Sequence, residues 1–95
     1  MTIFQKEILE AAIDEWGKEN QTIVAIEELS ELQKELTKTL RGYDRTDGLI
    51  EEMADVYIML EQIKMLYGID ESMLVKTTAE KLNRLNKILK GVENY

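Results

Sequence analysis

The chain has 95 residues and a net charge of −7, and it contains no cysteine, histidine or proline. A hydrophobic fraction of 44% and a charged fraction of 33% are typical of one small globular domain and exclude a disordered chain. The acidic balance argues against a nucleic-acid polymer or an anionic membrane surface as partner. The missing residue types exclude thiolate chemistry, the common zinc sites and a Ser-His-Asp triad.

Helical periodicity dominates the sequence, and no segment shows the alternation of a strand. It predicts four helices, with approximate bounds Thr2–Trp16, Gln21–Arg41, Gly48–Tyr67, and from Asp70 or Ser72 to about Lys90. The segment GYDRTDG, residues 42–48, is the predicted loop, and Asp47 is the predicted N-cap of the third helix. Because short connections favour antiparallel neighbours, the predicted fold is all-α, a single four-helix bundle-type domain over residues 1–95.

Apolar stripes at helical spacing predict which faces point inward. The first helix has Ile8, Leu9, Ala12, Ile13 and Trp16; the third has Leu49, Val56, Met59 and Leu60; the fourth has Leu74, Thr78, Leu82, Leu85 and Leu89. No run of about 18 apolar residues occurs, so no helix is expected to span a membrane. The absence of cysteine favours a cytoplasmic location.

Ionisable side chains interrupt the inward faces of three helices. Glu52 projects from the middle of the stripe on the third helix, Glu28 lies among aliphatic residues of the second, and Lys81 lies in the stripe of the fourth. A buried carboxylate is costly unless it is paired or binds a cation. For Lys81 the alternative is a side chain that extends past the edge of a core into water.

Each inward acid has a second acid three residues later, Glu31 after Glu28 and Asp55 after Glu52. Residues three apart are neighbours on a helix surface, so antiparallel packing of the second and third helices can bring the two pairs face to face. Four carboxylates in a partly dry space repel one another at neutral pH, and a divalent cation relieves that repulsion. An all-oxygen ligand set predicts Mg²⁺, with Mn²⁺ as the alternative ion.

The stretches EELSEL (27–32) and EEMADV (51–56) resemble the paired signature of the MazG-like all-α nucleoside triphosphate pyrophosphohydrolases. That signature is E-x-x-E, a spacer and E-x-x-D, and both acid pairs match it. Lys81-Leu-Asn-Arg84 resembles the basic K-x-x-R element on the last helix of the family. The resemblance extends from about Trp16 to the end of the fourth helix, so it implies one MazG-like domain.

The resemblance implies Mg²⁺-dependent hydrolysis of nucleoside or deoxynucleoside triphosphates to a monophosphate and pyrophosphate, as in housecleaning of the nucleotide pool. The implied site residues are Glu28, Glu31, Glu52 and Asp55 for metal binding and catalysis, and Lys81, Arg84, Gln21, Trp16, Lys34 and Lys38 for substrate binding. Lys81 and Arg84 would hold phosphates, and Gln21 would bond a base or sugar. Trp16 either stacks on a base or belongs to the core. Lys34 and Lys38 are equally well interpreted as solvated lysines that pair with acids on their own helix.

Family members of this size form dimers or tetramers, so a homodimer or homotetramer is expected. Ile26, Ile58 and Met65 lie off the main stripes, as residues of an interface do. The alternative function is a non-catalytic helical oligomer that senses a nucleotide or binds a partner protein. A di-iron carboxylate bundle is disfavoured because such sites use Glu-x-x-His. The nucleobase, the sugar and the number of ions stay open.

Overall fold

The computed structural model describes residues 1–94, which form four α-helices and no strand. The helices are α1 (Ile3–Trp16), α2 (Lys18–Leu40), α3 (Thr46–Tyr67) and α4 (Glu71–Leu89). The predicted all-α fold is therefore confirmed. None of the helices in this range is long and apolar enough to cross a membrane.

The ends of the helices follow from local hydrogen bonding. Thr2 caps α1 through a reciprocal pair of bonds with Gln5, in which each side chain accepts the other residue's backbone N–H. Gly17 alone separates α1 from α2; it has φ +86°, and its N–H donates to the carbonyl of Ile13. Because glycine adopts this conformation without a steric penalty, α2 begins at Lys18, three residues earlier than predicted.

The loop between α2 and α3 is shorter than the sequence predicted. It covers residues 41–45, and α3 begins at Thr46 rather than at Gly48. Asp47 as N-cap is wrong: the cap position is Arg45, and Asp47 lies in the first turn of α3. The side chain of Asp44 accepts a hydrogen bond from the hydroxyl of Thr46 at 3.2 Å, which stabilises the start of α3 at Thr46.

The core lies mainly between α2 and α3, with α1 against one side. Its buried apolar residues within the described chain are Leu9, Ala25, Val56 and Met59, and the buried polar residues are Gln21, Glu35 and Gln62. Ile8 and Trp16 were predicted to face inward, but they are 52% and 57% exposed. Only one narrow face of α1 contacts the other helices, so the two ends of its predicted stripe lie outside that contact.

The fourth helix is almost fully solvated. Between residues 71 and 89 only Ile88 is even half-buried, so the predicted inward stripe of α4 is exposed, including Leu82 at 60% and Leu89 at 78%. The reason is that no other described helix packs along it. An ion pair from Lys64 to Glu71 fixes its first turn. The radius of gyration is 16.6 Å, against about 12 Å for a compact chain of this length.

Candidate metal centre

Three carboxylates converge between α2 and α3. Oxygen atoms of Glu28, Glu52 and Asp55 all lie within 4.8 Å of one another; we call these residues the acid cluster. Glu28 and Glu52 are half-buried and Asp55 is exposed. The cluster therefore has a dry side, formed by the helices, and a side open to a ligand.

The antiparallel register of α2 and α3 produces this convergence. The side chains of Glu28 and Asp55 are within hydrogen-bonding reach, and Glu31 acts electrostatically on Glu52. A move of three residues towards the C-terminus of α2 is thus matched by a move of three residues towards the N-terminus of α3. Since three residues are close to one helical turn, the two acid pairs face each other over a single turn, as the sequence predicted.

Burial and mutual repulsion both act on the acid cluster. Burial raises the pKa of Glu28, and the charge of Asp55, a side-chain hydrogen bond with it and the charge of Glu52 raise it further. The pKa of Glu52 is raised by burial first, then by the charges of Asp55 and Glu31. Oxygen Oε2 of Glu52 is buried without a hydrogen-bond partner. An unpaired acceptor beside two further carboxylates is a suitable ligand set for a hard divalent cation.

Glu31 lies at the edge of this group rather than within it. Its side chain is 49% exposed and pairs with Lys34 at 3.2 Å. Three of the four predicted metal ligands are therefore close enough to share one ion, and Glu31 lies outside this group with one oxygen paired to Lys34. Lys38 lies 3.9 Å from an oxygen of Glu35, so both lysines make the intrahelical pairs that were the alternative to phosphate binding.

The two basic residues of the K-x-x-R element lie on the exposed helix α4. Arg84 donates to the side chain of Glu93 at 3.1 Å. Lys81 forms no ion pair with an acid in residues 1–94. Both basic residues lie on α4, along which no other described helix packs, whereas the acid cluster lies between α2 and α3.

Trp16 and Gln21 line the same groove, which adjoins the α1–α2 corner. The other lining residues are Asn20, Ile23, Val24 and Glu27. The indole of Trp16 is exposed and Gln21 is 5% exposed, so Trp16 is a surface residue and Gln21 forms part of the groove floor. None of the acid-cluster residues lines this groove.

Two buried polar residues on the seam between α2 and α3 were missed by the sequence analysis. Glu35 follows Glu28 by seven residues and Gln62 follows Asp55 by seven, and both are less than 10% exposed. Seven residues are close to two helical turns, so each lies on the same face as the acid that precedes it. Applying the helical period beyond the E-x-x-E and E-x-x-D motifs would have placed both on the face of the acids, although it does not identify Arg45 as the partner of Glu35.

Comparison with protein-family models, with curated proteins and with solved structures gives no match to this chain.

Proposed function

We propose that this protein is a Mg²⁺-dependent pyrophosphohydrolase of nucleoside or deoxynucleoside triphosphates, with Mn²⁺ as a substitute ion, and that it belongs with the MazG-like enzymes that its motifs resemble. The observation that carries the proposal is the approach of Glu28, Glu52 and Asp55 to within 4.8 Å. Like charges this close are unfavourable without a counterion. We place its activity in housecleaning of the cytoplasmic nucleotide pool.

The acid cluster fits a hard cation by its donors. Glu28, Glu52 and Asp55 would hold the ion, and Glu31 would join them after leaving Lys34. When bound, Mg²⁺ supplies charge neutralisation to the triphosphate and lowers the pKa of a coordinated water. A carboxylate of the cluster then accepts the proton of the attacking water.

Substrate recognition is assigned to groups around the cluster. We propose that Lys81 and Arg84 bind phosphate oxygens and offset negative charge that builds up during the reaction. Trp16 and Gln21 line one groove, which suits a base that stacks on an indole and bonds to an amide. Lys34 and Lys38 are the secondary candidates for phosphate contact.

A second copy of the chain is the partner that we propose for α4. The accessible area is 7544 Å², whereas a compact protein of 11.0 kDa exposes about 5,600 Å². The excess per chain is of the size that an obligate interface buries, about 2,000–5,000 Å² in total. The helix α4 carries four basic and two acidic residues and is therefore positively charged. Its charge is complementary to that of a second copy of the chain, whose net charge is −7. Assembly into a homodimer or homotetramer would bring Lys81 and Arg84 against an acid cluster.

The deciding experiment is pyrophosphate release from a panel of ribo- and deoxyribonucleoside triphosphates, with Mg²⁺, with Mn²⁺ and with EDTA. We expect a monophosphate and pyrophosphate in the presence of either metal and no turnover in EDTA. Phosphate release in place of pyrophosphate, or turnover that is unchanged by EDTA, would refute the proposal. Sedimentation of the same sample gives the oligomeric state.

The alternative is a non-catalytic oligomer that senses a nucleotide or binds a partner protein. The exposed apolar face of α4 favours it, because such faces are typical of protein–protein contacts. The panel separates the two functions. A sensor binds a triphosphate, measured by calorimetry, and releases no pyrophosphate, whereas the enzyme turns its substrate over.

A further inference from the structure

The seam between α2 and α3 ends in an ion pair that metal binding does not use, formed by a buried acid and a half-buried guanidinium. Arg45 Nε donates to Oε2 of Glu35 at 2.8 Å, and Arg45 Nη2 donates to Oε1 at 2.7 Å. Glu35 is 8% exposed, and Arg45 is the cap residue of α3. The planar guanidinium thus joins the last turns of α2 to the first turn of α3 through two parallel bonds, a geometry that fixes direction as well as distance.

Gly48 completes this arrangement from the α3 side. A Cβ atom at this position would lie 2.7 Å from Oε2 of Glu35 and 3.0 Å from its carboxyl carbon. Gly48 is helical and is not one of the glycines with positive φ, so its backbone does not require glycine. Alanine would favour the helix by about 1 kcal/mol. The atoms that a Cβ would meet belong to the end of the Glu35 side chain, so they could move only by disturbing the two bonds from Arg45. The absent side chain therefore leaves room for the carboxylate in its bonded position.

The same register aligns this ion pair with the acid cluster. Glu35 lies opposite Gly48, Glu31 opposite Glu52, and Glu28 opposite Asp55. These three facing positions occupy successive turns of the same two helices. A slip of one residue would move one helix by about 1.5 Å and turn its side chains by about 100°. Mg²⁺ requires near-ideal ligand positions at about 2.1 Å, so such a slip would destroy the metal centre.

We propose that Glu35, Arg45 and Gly48 are positioning residues, which fix the register of α2 against α3 and thereby hold the acid cluster at metal-binding separation. The inference rests on the proposed metal-dependent function. It adds three residues that touch neither ion nor substrate and that lie outside both acid motifs.

Register and charge predict opposite effects for the loss of Arg45. Without the guanidinium, the charge of Glu35 is no longer balanced, and Glu35 already acts electrostatically on Glu52. Through charge alone, R45M would make the cluster more negative and would tighten cation binding. Through register, the same variant weakens cation binding. The direction of the change therefore decides between the two effects.

The test measures Mn²⁺ binding, by electron paramagnetic resonance of free Mn²⁺, to the full chain at a temperature where circular dichroism shows each variant to be folded. R45M removes the positive charge and the two parallel hydrogen bonds to Glu35. R45K keeps the positive charge but cannot form the two parallel bonds. G48A keeps the charges of Glu35 and Arg45 and fills the space of the Glu35 carboxylate. We expect each variant to bind Mn²⁺ about ten-fold more weakly, as is typical when outer support of a metal site is lost. The matched control is K64M, which removes the ion pairs from Lys64 near the end of α3 to Glu61 on the same helix and to Glu71 on α4 and should bind like the wild type.

Each result has a defined meaning. Tighter binding by R45M, recovery of wild-type affinity in R45K, or unchanged affinity in G48A would overturn the positioning role while leaving the proposed function intact. An equal loss in K64M would show a general effect of stability and would also overturn it. Failure of the wild type to bind Mn²⁺ would refute the metal-dependent function and this inference together.

Discussion

Glu35 and the acid cluster lie on one helix seam, one to two turns apart, and their surroundings shift the pKa values of their carboxylates in opposite directions. Glu35 is buried against a guanidinium that accounts for most of the lowering of its pKa. Glu28 and Glu52 face other acids, and burial together with those acids raises the pKa of each. The first arrangement stabilises the folded chain at neutral pH and the second destabilises it. A fold retains an unfavourable charge group when another function requires it, so this contrast directs attention to the acid cluster.

The largest expected effect comes from E52Q in the acid cluster, which should lower the activity while raising the stability of the metal-free protein. E52Q removes a ligand and a charge, so we expect pyrophosphate release to fall at least about 100-fold, the upper range for disturbed metal sites. In EDTA at neutral pH the same variant should melt at a higher temperature than the wild type, because it relieves repulsion. E51Q, which alters the exposed neighbouring acid, is the control and should retain most of the activity. A lower melting temperature for E52Q in EDTA would contradict the electrostatic description.

The Glu35–Arg45 pair should respond in the opposite sense. E35Q preserves the size of the side chain, but an amide cannot accept both bonds from the guanidinium. It therefore leaves the half-buried guanidinium of Arg45 with one donor poorly paired. We expect the melting temperature to fall by about 5–10 °C, measured by circular dichroism in EDTA. E10Q on the exposed face of α1 is the matched control and should melt like the wild type. A rise for E35Q would mean that this pair, like the acid cluster, destabilises the fold.

The sequence contained this contrast only in part. The spacing of Glu28, Glu31, Glu52 and Asp55 along two helices was sufficient to predict that they face each other. Glu35 was not recognised, because its partner Arg45 lies in the predicted loop. The two residues are ten positions apart in the sequence, and only the tertiary structure brings them together. The role of Gly48 depends on the position of Oε2 of Glu35, which lies 2.7 Å from where a Cβ atom at residue 48 would be. No sequence pattern contains that distance.

The fourth helix shows a different limit of sequence reasoning. Its amphipathic period correctly predicted a helix and an apolar stripe, but the period does not specify what covers that stripe. In the single chain Leu82 and Leu89 are exposed, so the inward orientation that was predicted for Lys81 requires another chain. A pattern within one sequence predicts that a face is to be buried, and it does not distinguish burial within the chain from burial by a second copy.

The pH dependence of stability should separate the two regions. In EDTA, the raised pKa values of Glu28 and Glu52 mean that their stabilising contribution is complete below the ordinary value of 4.5 and is lost as pH rises through each raised pKa. For Glu35, whose pKa is lowered, the contribution is present above 4.5 and is lost as pH falls through the lowered pKa. We therefore measure melting temperatures from about pH 3 to pH 8. Relative to the wild type, the melting temperature of E28Q should fall less above pH 4.5, and that of E35Q should fall less at acid pH, each by a few degrees. If E28Q and E35Q changed the same side of the profile, the assignment of opposite pKa shifts would be wrong.

The smallest expected effect comes from an ion pair of similar chemistry in an exposed setting. Lys34 and Glu31 lie 3.2 Å apart with side chains 64% and 49% exposed, so water competes for both charges. Exposed pairs contribute little, and K34M should change the melting temperature by less than about 2 °C, against the larger loss expected for E35Q. A fall comparable with that of E35Q would show that burial does not explain the difference between the two pairs. Unchanged Mn²⁺ affinity in the same variant would restrict the metal centre to Glu28, Glu52 and Asp55, because the lost positive charge of Lys34 and a freed Glu31 would both tighten binding.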